Sequence, residues 1–312
     1  VSGAGSTWVN GGPLAIADGF AGTVGSVRIL DGATVSNSYA IVGGAEGIGS
    51  VTVDGAGSTW TSSGDLFIGT DAGTGALSIT HGGKVSNNNG YIGYGGFEAG
   101  KSVGAVVVDG TNSTWTNSSN LFVGGSESGA AGTGTLRIEN GGTVNAQTTT
   151  VWSLGRIEGN GTVTGSVTNF GNIAPAGVLH VGNYSQGNSG VFDIAVQSLS
   201  SSDLLAVSDL ASLDGTLDVT LDGYTAHAGD VFTILTSSGL TGNFSNIEFP
   251  TLSGGLFFTE RTTPKDVLLI VQGRSSIPDA GSTFTLMLVA LASCCGARYL
   301  VSRTRLFLSN CH

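Results

Sequence analysis

No cysteine occurs between Val1 and Ser293; Cys294, Cys295 and Cys311 all fall near the end of the sequence. The first 293 residues are therefore held together without disulfides and without a thiolate metal site, and their stability has to come from a large core. Charge is scarce as well. Asp, Glu, Lys and Arg make up 11 % of the 312 residues, and no Lys or Arg lies between Arg156 and Arg261. At a net charge of −11 the sequence lacks the basic surface that phosphate binding needs, which argues against a nucleic-acid partner. No amphipathic helical stretch stands out before the C-terminal tail. Apolar residues nevertheless reach 40 %, too many for a disordered polar tract. A starting Met and a secretory leader are also absent: Val1–Gly5 aligns with Val53–Gly57, inside a repeat, so a leader and earlier repeats are expected to precede it.

What the sequence does have is glycine, 53 residues of it, and repetition. Gly5-Ser6-Thr7-Trp8 recurs as Gly57-Ser58-Thr59-Trp60 and as Asn112-Ser113-Thr114-Trp115. Between these lies a second phrase, Asp31-Gly32-Ala33-Thr34-Val35-Ser36-Asn37, repeated as His81-Gly82-Gly83-Lys84-Val85-Ser86-Asn87 and Asn140-Gly141-Gly142-Thr143-Val144-Asn145. The unit is thus about half the Trp period, roughly 25–30 residues, and Trp8, Val35, Trp60, Val85, Trp115 and Val144 share one column. Each unit carries two further apolar pieces, such as Leu66-Phe67-Ile68-Gly69 and Ala76-Leu77-Ser78-Ile79. Alternation within each piece has period two, which predicts strands with one buried face. Three short strands and three turns per unit predict one coil of a right-handed parallel β-helix, a β-solenoid, in which several coils must stack to bury the core. Alternation of Trp with Val in the column favours a buried column.

The pattern divides the sequence. Residues 1–147 carry the regular repeats. Residues 148–202 read as shorter coils, including Gly155–Val163 and Val167–Pro175, and 203–272 as longer strands forming a C-terminal β cap over open strand edges. Residues 273–283 form a linker, 284–305 a single hydrophobic helix with a basic end, and 306–312 a short tail.

The G-S-T-W phrase, with G-T-G-x-L-x-I and G-G-x-V-S-N, resembles the passenger repeats shared by type V secretion (autotransporter) proteins and by proteins bearing exosortase sorting tails. The stretch from Leu204-Leu205-Ala206-Val207 to Phe232-Thr233-Ile234-Leu235 resembles the C-terminal passenger segment of autotransporters. No run of amphipathic ten-residue strands of a translocator barrel is present, so self-transport is not expected. The tail resembles the PEP-CTERM class, and more closely its VPDSG-CTERM variant. Its motif is Ile277-Pro278-Asp279-Ala280-Gly281, with Ile277 where that family has Val and Ala280 where it has Ser. The apolar run Phe284–Ala297 is 14 residues, short of a comfortable span of about 20 unless Tyr299, Leu300 and Val301 join it with Arg298 snorkelling. Arg298, Arg303 and Arg305 would then stay on the cytoplasmic side. The resemblance implies an exported protein, held transiently in the inner membrane until an exosortase-type enzyme cuts near the Pro-acid motif.

Several segments imitate chemistry. Gly95–Ser102 matches the phosphate-binding pattern G-x-x-x-x-G-K-[ST], but the residues that follow are β-branched and predict a strand where that motif needs a helix. Nucleotide binding is therefore not expected. Gly100–Gly104 matches G-x-S-x-G without an acid and a His in the same coil. Leu291-Ala292-Ser293-Cys294 has the form of a lipobox at the wrong end of the chain. Asp31, Asp54 and Asp109 could be the carboxylates of a polysaccharide lyase or hydrolase, yet each precedes a turn Gly, where Asp serves local hydrogen bonding. Asp203, Asp209, Asp214, Asp218 and Asp222 lack a Ca²⁺-binding nonapeptide, and no cofactor or metal is expected. The expected function is adhesion or biofilm and envelope architecture by a non-enzymatic solenoid, with extracellular polysaccharide as a candidate partner. A polysaccharide-acting enzyme and a glycan-binding module that uses the Trp column remain the alternatives.

Overall fold

The computed structural model describes residues 1–96, 100–199 and 201–273. Its regular elements are all β-strands, wound into a parallel β-solenoid of about nine turns, with no helix among the described residues. The all-β solenoid expected from the repeats is thus the observed architecture.

Each regular coil contributes one strand to each of three faces. The first face stacks the seven-residue strands Val24–Leu30, Ile48–Asp54, Thr74–Thr80, Val103–Asp109 and Thr133–Glu139 in parallel register. The second stacks Thr34–Asn37, Thr59–Ser62, Lys84–Asn87 and Thr114–Asn117, and the third Ala40–Gly44, Leu66–Thr70, Gly90–Tyr94 and Asn120–Val123. Period-two alternation decides which side chains go inward: in Ile48–Asp54, Gly49, Val51 and Val53 are buried while Ser50 and Thr52 face outward. Inward residues from all three faces merge into one core running from Leu14 to Val271. Each large side chain buried there contributes about 1.5–3 kcal/mol.

On the second face the register runs Trp8, Val35, Trp60, Val85, Trp115, Val144, Val163, Val181, Val207, one residue per rung. The doubled period has its cause in the turn entering this face. Val-type coils use a tight two-residue turn with both central residues at positive φ: Asp31 (54°) and Gly32 (81°), His81 (50°) and Gly82 (86°), Asn140 (48°) and Gly141 (84°). That conformation favours Asn-Gly and Asp-Gly pairs. Trp-type coils use a longer turn, Asp54–Ser58 and Asp109–Ser113, closed by the Ser. Each Ser Oγ donates to the carbonyl of the turn's own Asp (2.6 Å in both) and accepts the amide of Gly32 or Gly82 in the preceding coil (3.0 Å in both).

The corner between the third and first faces is built from glycine. Gly25, Gly49, Gly75, Gly104, Gly134 and Gly155 form one in-register inward ladder. A Cβ at Gly104 would overlap the Ile68 carbonyl and the Gly93 amide, so backbone packs directly on backbone. Gly93 itself, next to last in the third-face strand Gly90–Tyr94, has φ 72°.

Past residue 147 the coil changes. First-face strands shrink to Gly155–Gly159 (5 residues) and Asn172–Pro175 (4 residues), then lengthen to Val191–Ser198 (8 residues). The second and third faces fuse into the single strands Thr162–Asn169 and Val178–Gln186. The stretch 203–272 opens with more of the parallel ladder: Leu204–Val207, Leu210–Leu213 and Thr216–Leu221 continue it, followed by Gly239–Gly242 and Asn246–Glu248. Val231–Thr236 pairs parallel with Leu204–Val207 and antiparallel with Asp266–Gly273, which also pairs antiparallel with Leu256–Thr262. Phe232 and Phe258 of this antiparallel unit pack in contact with each other and with Tyr224 and Phe249.

Candidate functional site

The residues that recur most visibly are engaged in joining coils. Trp60 and Trp115 are 1 % and 0 % exposed, and their indole N–H groups donate to Asn37 Oδ1 (2.7 Å) and Asn87 Oδ1 (2.6 Å) of the preceding coil. Asn37 Nδ2 donates onward to Ser62 Oγ (3.1 Å) and Asn87 Nδ2 to Asn117 Oδ1 (2.8 Å), so a polar ladder runs inside the solenoid beside the column. Burying these amides is tolerable only because they are paired. Trp8, on the first rung, is 38 % exposed. Neither buried indole presents a ring face to a ligand, and the glycan-stacking role weighed for the column has no surface at Trp60 or Trp115. An outward aromatic stack on the third face, Phe67–Tyr91–Phe122, has its ring faces covered by one another, with centroids 4.7 and 5.3 Å apart.

The turn carboxylates are similarly engaged. Asp31 accepts from Ser2 Oγ (2.7 Å), Asp54 from Thr80 Oγ1 and bonds His81 Nδ1 (2.6 Å each), and Asp109 accepts from Asn140 Nδ2 (2.7 Å). Within the Gly95–Ser102 match, residues 97–99 lie outside the described residues; Ser102 is buried, its Oγ accepting the Ala72 amide (3.0 Å) and donating to the Gly95 carbonyl (3.4 Å). A strand, Val103–Asp109, follows where a phosphate loop needs a helix N-terminus. Of the Asp-rich stretch, Asp203 is buried, Asp214 binds the Gly215 amide, and no group of three or more His, Cys, Asp or Glu able to hold a metal occurs among the described residues. The sorting motif Ile277–Gly281 and the basic residues Arg298, Arg303 and Arg305 lie outside the described residues, as does the apolar segment 284–305. Among the described residues no helix is long and apolar enough to cross a membrane.

The site that the repeats do not explain lies on the outer side of the first face, where the coils shorten. In the regular coils this face carries small or neutral side chains such as Ser50, Thr52, Ala76, Ser78, Ala105 and Val107, with Arg28 as an isolated charge. From the strand Thr133–Glu139 onward it becomes charged. Two identical tripeptides, Arg137-Ile138-Glu139 and Arg156-Ile157-Glu158, sit on neighbouring rungs with Arg137 beside Glu158. The short strands Gly155–Gly159 and Asn172–Pro175 then leave a recess between longer neighbours, a cavity of about 460 Å³. Its floor includes Gly159, Ala174, Pro175 and Ala195. Along its walls Arg137 pairs with Glu139 (2.6 Å), and Arg156 pairs with Glu158 (2.8 Å) and Asp193 (3.3 Å) while donating to Asn172 Oδ1 (2.8 Å).

At the recess edge Asp203, 4 % exposed, accepts the Gly177 and Ala195 amides, one on each oxygen (2.9 Å each). Burial raises its pKa above the ordinary carboxylate value and those two amides oppose the rise. From Asp193 in the recess wall, Asp218 and Glu248 follow on successive rungs outside it. Burial, and then the charges of Asp193 and Glu248, raise the Asp218 pKa. Sequence reading passed over this site, although the signal was present: R-I-E occurs twice, 19 residues apart, where the strands shorten. Comparison with known proteins found no matching family model and no matching curated protein.

Proposed function

We propose that this chain is a non-enzymatic, exported surface or matrix protein: a right-handed β-solenoid stalk, closed by its antiparallel C-terminal sheet as a cap, that serves adhesion or biofilm and envelope architecture. The observation that carries this reading is that the recurring Trp, Ser, Asn, Asp and Gly positions are engaged in coil-to-coil contacts and leave no repeated catalytic surface. The tail supplies the address. Ile277–Gly281 is the processing motif, an exosortase-type enzyme cuts near Pro278-Asp279, and the segment 284–305 tethers the precursor in the inner membrane with Arg298, Arg303 and Arg305 on the cytoplasmic side. Expression alongside an exosortase-bearing secretion system, followed by intact-mass measurement of the mature C-terminus, tests this. Residues after Asp279 retained on the exported product would sink the cleaved-signal reading.

A polysaccharide-acting enzyme is the second reading, and the carboxylates of the first-face recess are what favour it. Against it, Glu158 and Asp193 are both tied to Arg156, and both Asp203 oxygens hold backbone amides, so none of these three recess carboxyls stands apart as an acid or base. Release of reducing ends or unsaturated sugars from a polysaccharide panel, abolished by Glu158→Gln or Asp193→Asn, would establish it instead.

A further inference from the structure

We propose that the first-face recess is a binding site for a neutral, hydroxyl-rich glycan chain. This rests on the surface-protein reading and names a ligand class and a place for it. Among the described residues, the recess is where charged outward side chains on adjacent first-face strands, Arg137, Arg156, Glu158 and Asp193, line a concave surface. Its volume of about 460 Å³ lies within the usual range for small-ligand sites. It spans the rungs of Arg137, Arg156, Ala174 and Asp193, about 14 Å at roughly 4.8 Å per rung, long enough for a few pyranose rings.

The chemistry selects the ligand. Each guanidinium is held by a carboxylate, so donors and acceptors alternate along the wall in fixed directions. A sugar diol can donate one hydroxyl to a carboxylate and accept from the adjacent guanidinium without breaking either ion pair. An anionic chain would have to displace Glu139, Glu158 or Asp193 and would meet Asp218 and Glu248 beyond. A cationic chain would have to compete with Arg156 for the same carboxylates. The floor of Ala174, Pro175 and Ala195 is small and apolar, suited to the C–H face of a ring. The arginines are the more exposed members of the pairs (52 and 39 %, against 26–30 % for their carboxylates), so part of each arginine side chain remains accessible to solvent.

The test is calorimetric titration of the full chain with cellohexaose, maltohexaose and hexa-N-acetylchitohexaose, alongside hexagalacturonate and a fully de-N-acetylated chitosan hexamer. At least one neutral oligomer is expected to bind with Kd below about 1 mM, with little dependence on salt. Arg156→Lys, which keeps the charge but loses the planar fork, and Glu158→Gln should each weaken that binding about tenfold. Arg28→Ala, on the same face outside the recess, should leave it unchanged. Melting curves confirm that each variant is folded. No binding by any neutral oligomer, preference for either charged oligomer, or affinity unmoved in both recess variants overturns the site and leaves the surface-protein reading standing. Cleavage of a bound oligomer, with binding lost in the recess variants, keeps the site and overturns the non-enzymatic reading.

Discussion

The regular coils of residues 1–147 and the irregular coils that follow use the same ladder for opposite purposes. In the regular part the polar chemistry turns inward or sideways: Asn37 and Asn87 take the indoles of Trp60 and Trp115, Ser58 and Ser113 clasp the preceding turn, and the first face carries small or neutral groups such as Ser50 and Val107, with Arg28 as an isolated charge. In the part after residue 147 the interior loses its Trp and the outside gains Arg156, Glu158 and Asp193 around a recess. A residue that recurs once per coil is held by its neighbours above and below, and so is scaffold. Arg137, Arg156, Glu158 and Asp193 break the recurrence of the first face, and they line one recess.

The sharpest way to break the comparison is at the glycine corner. Gly104→Val puts a branched side chain into the Ile68 carbonyl and the Gly93 amide, both backbone and unable to yield cheaply. A loss above about 4 kcal/mol, or failure to fold, is expected by urea denaturation. The neighbouring Ala105→Val points outward and should change stability by no more than about 0.5 kcal/mol. Equal effects from the two would show that the corner is not packed backbone on backbone.

Next comes the column. Trp60→Ala should cost about 3–5 kcal/mol through the cavity it leaves, and Trp60→Phe about 1–3 kcal/mol because Asn37 Oδ1 loses its donor. Trp8→Ala, at a rung that is 38 % exposed, should cost less than about 1 kcal/mol. A Trp8 variant as damaging as the Trp60 variant would refute the distinction between inner and end rungs.

A gain is expected where the two regions meet. Thr149 lies inward between Leu121 and Val167 in the third-face register, and its buried hydroxyl has no hydrogen-bond partner. Thr149→Val keeps the shape and removes the stranded polar atom, so stability should rise by up to about 1–2 kcal/mol. No gain in melting temperature would mean that the hydroxyl is satisfied in solution.

How much of this could be read from the sequence depended on periodicity. The Trp/Val column, the three strands per coil and the shortening after residue 147 all follow from spacing, because a solenoid repeats its environment as it repeats its sequence. The inward Asn ladder was legible in principle: Asn37 and Asn87 stand two residues after Val35 and Val85, hence on the same side of the strand. Counting only apolar residues as core hid them. The recess was harder, since its walls combine Arg137, Arg156 and Asp193 from three strands, and only the register brings these together. The extension of the parallel ladder past residue 203 was masked by the longer strands there, which read equally well as a separate sheet.

The smallest effect concerns the turn ladder of the regular coils. His81 Nδ1 lies 2.6 Å from Asp54 Oδ1 on the preceding coil. Its pKa is raised above the ordinary 6.5, first by that hydrogen bond and then by the Asp54 charge. The Asp54 pKa is lowered below the ordinary 3.8, first by the Thr80 hydroxyl and then by His81. A raised His contributes stability that is fully present below its unfolded pKa and is lost as pH rises through its folded value. A depressed Asp contributes stability present above its unfolded pKa and lost as pH falls through its folded value. The pair therefore helps most between about pH 3.8 and 6.5, and because both groups face solvent the help is slight. NMR titration should place the His81 midpoint above 6.5, and Asp54→Asn should bring it back toward that value while costing more stability at pH 5 than at pH 8. A midpoint at or below 6.5 in the unaltered protein would remove the ion pair from the turn ladder and leave Asp54 bound to Thr80 alone.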